Sequence, residues 1–148
     1  MNMKDERQFV GYSKYRSRLV DGHVHTELCP HGSGDRTAMM IEKAIELRIE
    51  KICLTEHAPL PKAFAVEYGG DQKAYDTASL KLNQVDTYLE LGRQLQRAYG
   101  THIDICLGFE VDYIPGFETD IQEFLDRYGP LTDDNILSVH FMEGVNNA

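Results

Sequence analysis

At 148 residues with 42% hydrophobic side chains, the chain is long enough for one domain with a buried core, and short of the roughly 250 residues of a closed (β/α) barrel. Its net charge of −9 argues against non-specific nucleic-acid binding, which relies on basic side chains against phosphates. No stretch approaches the roughly 18 apolar residues of a membrane span, the polar N-terminus lacks the apolar core of a signal peptide, and three cysteines without paired spacing make no disulfide framework. The composition is that of a soluble cytoplasmic protein without nucleic-acid or membrane partners.

Residues 1–18 are charged and aperiodic and read as an extension. From there strand-like and helix-like segments alternate. A first strand over 19–25 runs into histidines, and the Pro- and Gly-containing segment 29–35 reads as a loop. Asp35 is placed to cap a helix over 36–48, where Met40, Ile41, Ala44, Ile45 and Leu47 recur at helical spacing. A second, buried strand covers 51–57, with its apolar run at Ile52–Leu54. The segment 58–77 holds Pro59, Pro61 and Gly69-Gly70 and reads mostly as a functional loop.

A long helix is expected over about 78–98, with Leu82, Val85, Leu89 and Leu95 on one face. The third strand lies within 102–113, its apolar alternation breaking at Gly108. A short helix carries Phe117, Ile121, Phe124, Leu125 and Tyr128 and stops at Gly129-Pro130. Asp133-Asp134-Asn135 reads as a solvated turn, and a fourth strand covers 135–141. This β-α-β-α-β-α-β order predicts an α/β fold of parallel (β/α) units.

Each strand runs from apolar residues into a candidate metal ligand: His23 and His25, then His57, Glu110 and His140. Parallel α/β folds place their sites at the carboxyl ends of strands, so these residues should converge on one rim. His31, on the loop leaving strand one, can join them. Residues two apart in a strand share a side, so His23 and His25 can serve one ion. Imidazole with carboxylate suits zinc, iron or manganese, and the two oxygens of Glu110 can bridge two ions.

Plainer roles stay open for each residue: surface histidines for the pair, turn geometry for His31, a packed imidazole for His57, a core histidine for His140. Asp112 is an alternative to Glu110. His102 precedes the third strand and should lie at the opposite end of the sheet. A Cys29 nucleophile with a His31 base is disfavoured by their closeness in sequence and the lack of an orienting third group. Cys53 and Cys106 sit in apolar runs and read as small core hydrophobes.

The motifs D-G-H-V-H-T (21–26), C-P-H-G-S (29–33), T-E-H-A-P (55–59), G-F-E-V-D-Y (108–113) and S-V-H-F-M-E-G (138–144) resemble, in order, those of the histidinol-phosphatase branch of the polymerase-and-histidinol-phosphatase (PHP) superfamily. The resemblance covers about 19–148 and implies the N-terminal part of a distorted (β/α)7 barrel with up to three divalent ions. It implies that His23, His25 and Glu110 hold one ion, that Glu110 bridges to a second bound by His140, and that His31 and His57 hold the third. Asp21 and Glu56 become candidates for orienting imidazoles from behind.

The implied reaction is hydrolysis of L-histidinol phosphate in histidine biosynthesis by a metal-bound water, without a protein nucleophile. The family pattern continues past S-V-H with further strands, another ligand histidine and a late D-x-H. The chain is therefore expected to be a truncated product, a fragment or one half of an assembly, with an open sheet edge able to self-associate. The alternatives are another phosphoesterase of the superfamily, such as a nuclease or nucleotide phosphatase, or a non-catalytic metal-binding fragment.

Overall fold

The computed structural model describes residues 18–64 and 76–141. The expected extension falls largely outside them, as does most of the 58–77 loop. Four strands, β1 (Val20–Val24), β2 (Lys51–His57), β3 (Asp104–Asp112) and β4 (Ile136–Ser138), form one parallel sheet in sequence order. Helices α1 (Thr37–Glu46), α2 (Val85–Tyr99) and α3 (Glu118–Tyr128) make the crossovers. The predicted parallel (β/α) architecture is observed, as an open four-stranded sheet.

Alternate residues of the strands serve two different faces. Ile52 and Leu54 of β2, with Ile105, Leu107, Phe109 and Val111 of β3, pack against Ile41, Ala44, Val85, Tyr88 and Leu89 of the helices. Burying each large apolar side chain contributes roughly 1.5–3 kcal/mol. The opposite face carries Cys53, Thr55 and His57 beside their register partners Cys106, Gly108 and Glu110. Nearly all of β3 is buried, on both faces.

Two glycines permit close approach. A β-carbon on Gly92 would lie 2.3 Å from Leu107 Cδ1, so its absence lets α2 sit directly on β3. On Gly108 it would lie 1.7 Å from the Asp134 carbonyl oxygen. Gly108 therefore does not break β3, as the sequence pattern suggested; the strand continues through it to Asp112, and the chain entering β4 passes over it.

Several local expectations are corrected. Asp35 does not cap α1; its carboxylate accepts from the Ser33 hydroxyl at 2.9 Å. The helix starts at Thr37, whose N–H is taken by the Glu27 carboxylate, while Glu27 N–H donates to Thr37 Oγ1 at 3.2 Å. The helix expected over 78–98 begins instead at Val85, after a single 3-10 turn over Leu82–Gln84. Ser79 and Leu80 are buried in that approach. Asp133-Asp134-Asn135 is not merely a solvated turn: Asp133 Oδ2 accepts from Leu107 N–H and Asn135 Oδ1 from Phe109 N–H, each at 2.9 Å. Their side chains act as ladder rungs for β3 before β4 begins.

Arg48 has φ 60°, in the left-handed region. Arg48 N–H bonds to Ile45 O at 3.0 Å and Ile49 N–H to Ala44 O at 2.9 Å, the paired bonds of a Schellman C-cap closing α1.

Candidate metal centre

The pairing of β1 with β2 runs Asp21↔Ile52 and then Val24↔Leu54, three residues of β1 against two of β2. This bulge turns Val24 to the helix face, where it packs on the core. His23 and His25, on either side of it, are thereby directed to the opposite face, which His57 and Glu110 also occupy.

There the imidazoles meet Glu110. Its Oε2 lies 2.9 Å from His23 Nε2, 3.3 Å from His57 Nδ1 and 3.4 Å from His25 Nε2. Its Oε1 faces His140 Nε2 at 3.4 Å. The His23 and His25 Nε2 atoms are 3.1 Å apart. His31 joins through ring-to-ring approach, 5.0 Å from His57 and 6.2 Å from His25, while its Nδ1 lies 2.8 Å from Thr77 O. All six candidate ligands are therefore brought to one place. His102 lies beyond the amino end of β3, beside Thr101 Oγ1 at 3.0 Å, as expected.

Behind the cluster, Glu56 is fully buried. Its Oε1 accepts from His25 Nδ1 at 3.2 Å and His57 N–H at 3.1 Å; its Oε2 accepts from Thr26 N–H at 2.9 Å and Thr26 Oγ1 at 2.7 Å. Burial alone would raise the Glu56 pKa, but the hydrogen bonds from His25 and Thr26 outweigh it and hold the carboxyl below its ordinary range. The same bond from Glu56 holds the His25 pKa above the ordinary imidazole value, against the opposing effect of burial. Asp21 plays a different part, offering Oδ1 to the His23 backbone N–H at 3.5 Å rather than to an imidazole.

Asp112 stands beside Glu110 rather than replacing it. Its Oδ1 accepts from His140 Nδ1 at 2.8 Å, from the His140 N–H at 3.3 Å and from Ser138 Oγ at 3.2 Å. Tyr88 carried no signal in the sequence, because a helical tyrosine looks ordinary until its partners are known. Tyr88, fully buried, places its hydroxyl 2.6 Å from Gly108 O and 2.9 Å from Leu54 O and receives Glu56 N–H at 3.3 Å.

Among the described residues, three groups of side chains have ligand atoms within 4.8 Å of one another: His23, His25 and Glu110; His57, Asp112 and His140; and His25, Cys29 and Glu56. The residues fit divalent cations on the structure's own terms. His57 Nδ1 is buried without a hydrogen-bond partner, and burial holds that imidazole below its ordinary pKa, with Glu110 opposing. With His25 Nδ1–H donated to Glu56, the His25 Nε2 lone pair faces Glu110 and a second imidazole. Such converging acceptors are stabilised by a shared cation. Burial raises the Cys29 thiol pKa, which disfavours the thiolate form that a nucleophile needs.

Parallel (β/α) units with histidines and carboxylates gathered at their strand ends define a metal-centre α/β protein. Residues 21–147 match the PHP domain, and the chain belongs to that family. It is 42% identical over 122 residues to the histidinol-phosphatase of Bacillus subtilis (strain 168), a match covering 82% of this chain and 44% of that protein. The solved hisK chain of Listeria monocytogenes superposes with a TM-score of 0.81 at 43% identity, over 84% of this chain and 46% of the other. The histidinol phosphate phosphatase of Lactococcus lactis, complexed with zinc, L-histidinol and phosphate, gives 0.64 at 26% identity, over 84% and 41%. The chain thus spans less than half the length of these relatives. Among the described residues no helix is long and apolar enough to cross a membrane.

Proposed function

We propose that the chain carries metal-binding machinery of a phosphomonoester hydrolase acting on L-histidinol phosphate, in the cytoplasmic synthesis of histidine. One observation carries this reading: four imidazoles lie within 3.4 Å of the two oxygens of Glu110. His23, His25 and Glu110 would hold one ion, Glu110 with His140 a second, and His31 with His57 a third. Zinc is favoured by the zinc-bound relative, and manganese or iron suits the same donors.

Divalent ions held there would supply positive charge for phosphate oxygens, Lewis acidity and a water acidified towards neutrality. Glu56 fixes the tautomer of His25 and so directs its Nε2 lone pair inward. His23, His31 and His140 are exposed at the rim, where substrate can reach them. Cys29 is buried, and burial raises its thiol pKa, which disfavours a thiolate nucleophile there. The net charge of −9 disfavours nucleic acid as an alternative substrate.

A second reading is a unit that binds metal without turnover, since the same clustered side chains hold a cation whether or not a substrate is hydrolysed. Metal analysis, Co(II) titration and L-histidinol phosphate hydrolysis, on wild type and His25→Ala, separate the readings. Metal and turnover, both lost in the variant, support the hydrolase; metal without turnover supports the second reading; equal, trivial metal in both proteins removes both.

A further inference from the structure

His25 and His57 are held in place by the fold packed around them; His140 is not. Its side chain is 49% exposed and it stands two residues beyond the end of β4, yet its two ring nitrogens each face a carboxylate. Nε2 lies 3.4 Å from Glu110 Oε1, and Nδ1 lies 2.8 Å from Asp112 Oδ1. Glu110 and Asp112 are two apart on β3 and share a face, so the imidazole spans from one to the other. Asp112 is buried and is the register partner of Ser138 in the last pair between β3 and β4. Its Oδ1 also accepts from the His140 N–H at 3.3 Å and from Ser138 Oγ at 3.2 Å. Ring and backbone of His140 are thus tied to one oxygen atom.

We propose that Asp112 is a positioning residue of the metal centre: it holds the His140 proton on Nδ1 and so leaves the Nε2 lone pair for the ion shared with Glu110. This rests on the metal-centre reading above. The two distances place the proton. At 2.8 Å the Nδ1 contact is a full hydrogen bond, whereas 3.4 Å at Nε2 lies beyond the usual range. With the proton on Nε2 instead, the Nδ1 lone pair would face a carboxylate oxygen with no hydrogen between them, and Nε2 could not accept an ion. An exposed imidazole without this anchor would also be free to take either tautomer and to turn towards solvent.

The competing role for Asp112 is direct ligation, since His57, Asp112 and His140 have ligand atoms within 4.8 Å of one another. Against it, Oδ1 already carries three donors, two of them from His140 itself. An ion placed on that oxygen would displace the bonds that hold His140 in the centre. Asp112 does for the exposed imidazole what Glu56 does for His25, from the other side of Glu110.

The test reads the tautomer directly. Ring-nitrogen NMR of the whole, metal-free chain at alkaline pH should show the His140 proton on Nδ1, the signals being assigned by their loss in His140→Gln. In Asp112→Ala the proton should move to Nε2, and zinc affinity measured by calorimetry should fall about 10–100-fold. Asp112→Asn retains an acceptor oxygen, so it should keep the Nδ1-protonated ring and lose less affinity than Asp112→Ala. A merely structural role would leave the tautomer unmoved. A wild-type ring protonated on Nε2 overturns the proposal without any Asp112 variant, so the test holds even if Asp112→Ala folds poorly. A zinc loss in Asp112→Asn equal to that in Asp112→Ala would mean direct ligation and would overturn it as well. Wild type that takes up no zinc sinks the metal-centre reading, whereas a wrong tautomer in a zinc-binding chain sinks the Asp112 assignment alone.

Discussion

His25 Nδ1 lies 3.2 Å from Glu56 Oε1, while the Nε2 of the same ring lies 3.4 Å from Glu110 Oε2. One imidazole therefore links a carboxylate saturated with protein hydrogen bonds to a carboxylate surrounded by imidazoles. The first sets the tautomer; the second is where a cation can be shared. In Glu56→Gln the largest cause of the raised His25 pKa is gone, so that pKa should fall on NMR titration of the metal-free protein. Metal affinity should drop about 10–100-fold, measured by calorimetry. An unchanged His25 titration would refute the assignment.

Metal-free stability should follow the Glu56 carboxylate in sign. Its folded pKa is depressed, so its stabilising contribution is present above the unfolded value of 4.5 and lost as pH falls through the folded one. Urea unfolding of wild type should therefore show a loss of stability at acid pH that is reduced in Glu56→Gln.

Loss of the Tyr88 hydroxyl should destabilise the fold selectively around β2 and β3. Tyr88→Phe keeps the ring but strips a partner from Leu54 O, Gly108 O and Glu56 N–H. The expected cost is about 1–3 kcal/mol. Amide exchange of Glu56 should accelerate more than that of α3. Uniform acceleration throughout the chain would count against a local clamp.

Gly108→Ala should uncouple β4 from the sheet. The new methyl would meet the Asp134 carbonyl oxygen at 1.7 Å; its position is fixed by the Cα and the oxygen belongs to backbone, so neither can rotate away. Overpacking of this kind costs about 1–3 kcal/mol or more. His140 follows β4, so metal bound through His140 should be lost before metal bound through His23 and His25. A variant with wild-type melting temperature and metal content would contradict the observed approach.

Arg48→Gly should stabilise the chain by roughly 0.5 kcal/mol. A left-handed residue with a side chain costs about 1–2 kcal/mol, of which glycine returns part through its greater unfolded freedom. Thermal unfolding would measure the gain, and a loss would mean that the Arg48 side chain does more than close α1.

The order of apolar runs and turn residues determines the parallel (β/α) succession, because parallel strands need crossovers and crossovers place strand carboxyl ends on one rim. His23, His25, His57, Glu110 and His140 were legible for that reason: each ends, or closely follows, an apolar strand. Tertiary structure alone decided what stands behind and beside them. Glu56 was a candidate for orienting an imidazole, but nothing local marks His25 as its partner, nor Tyr88 as a clamp on two strands, Asp133 and Asn135 as rungs for β3, or the bulge in β1 that turns both histidines inward. Each depends on a backbone group or side chain distant in sequence. Hydrophobic periodicity records which way a residue faces but not which partner waits there, and those partnerships arise only when strands and helices close on one another.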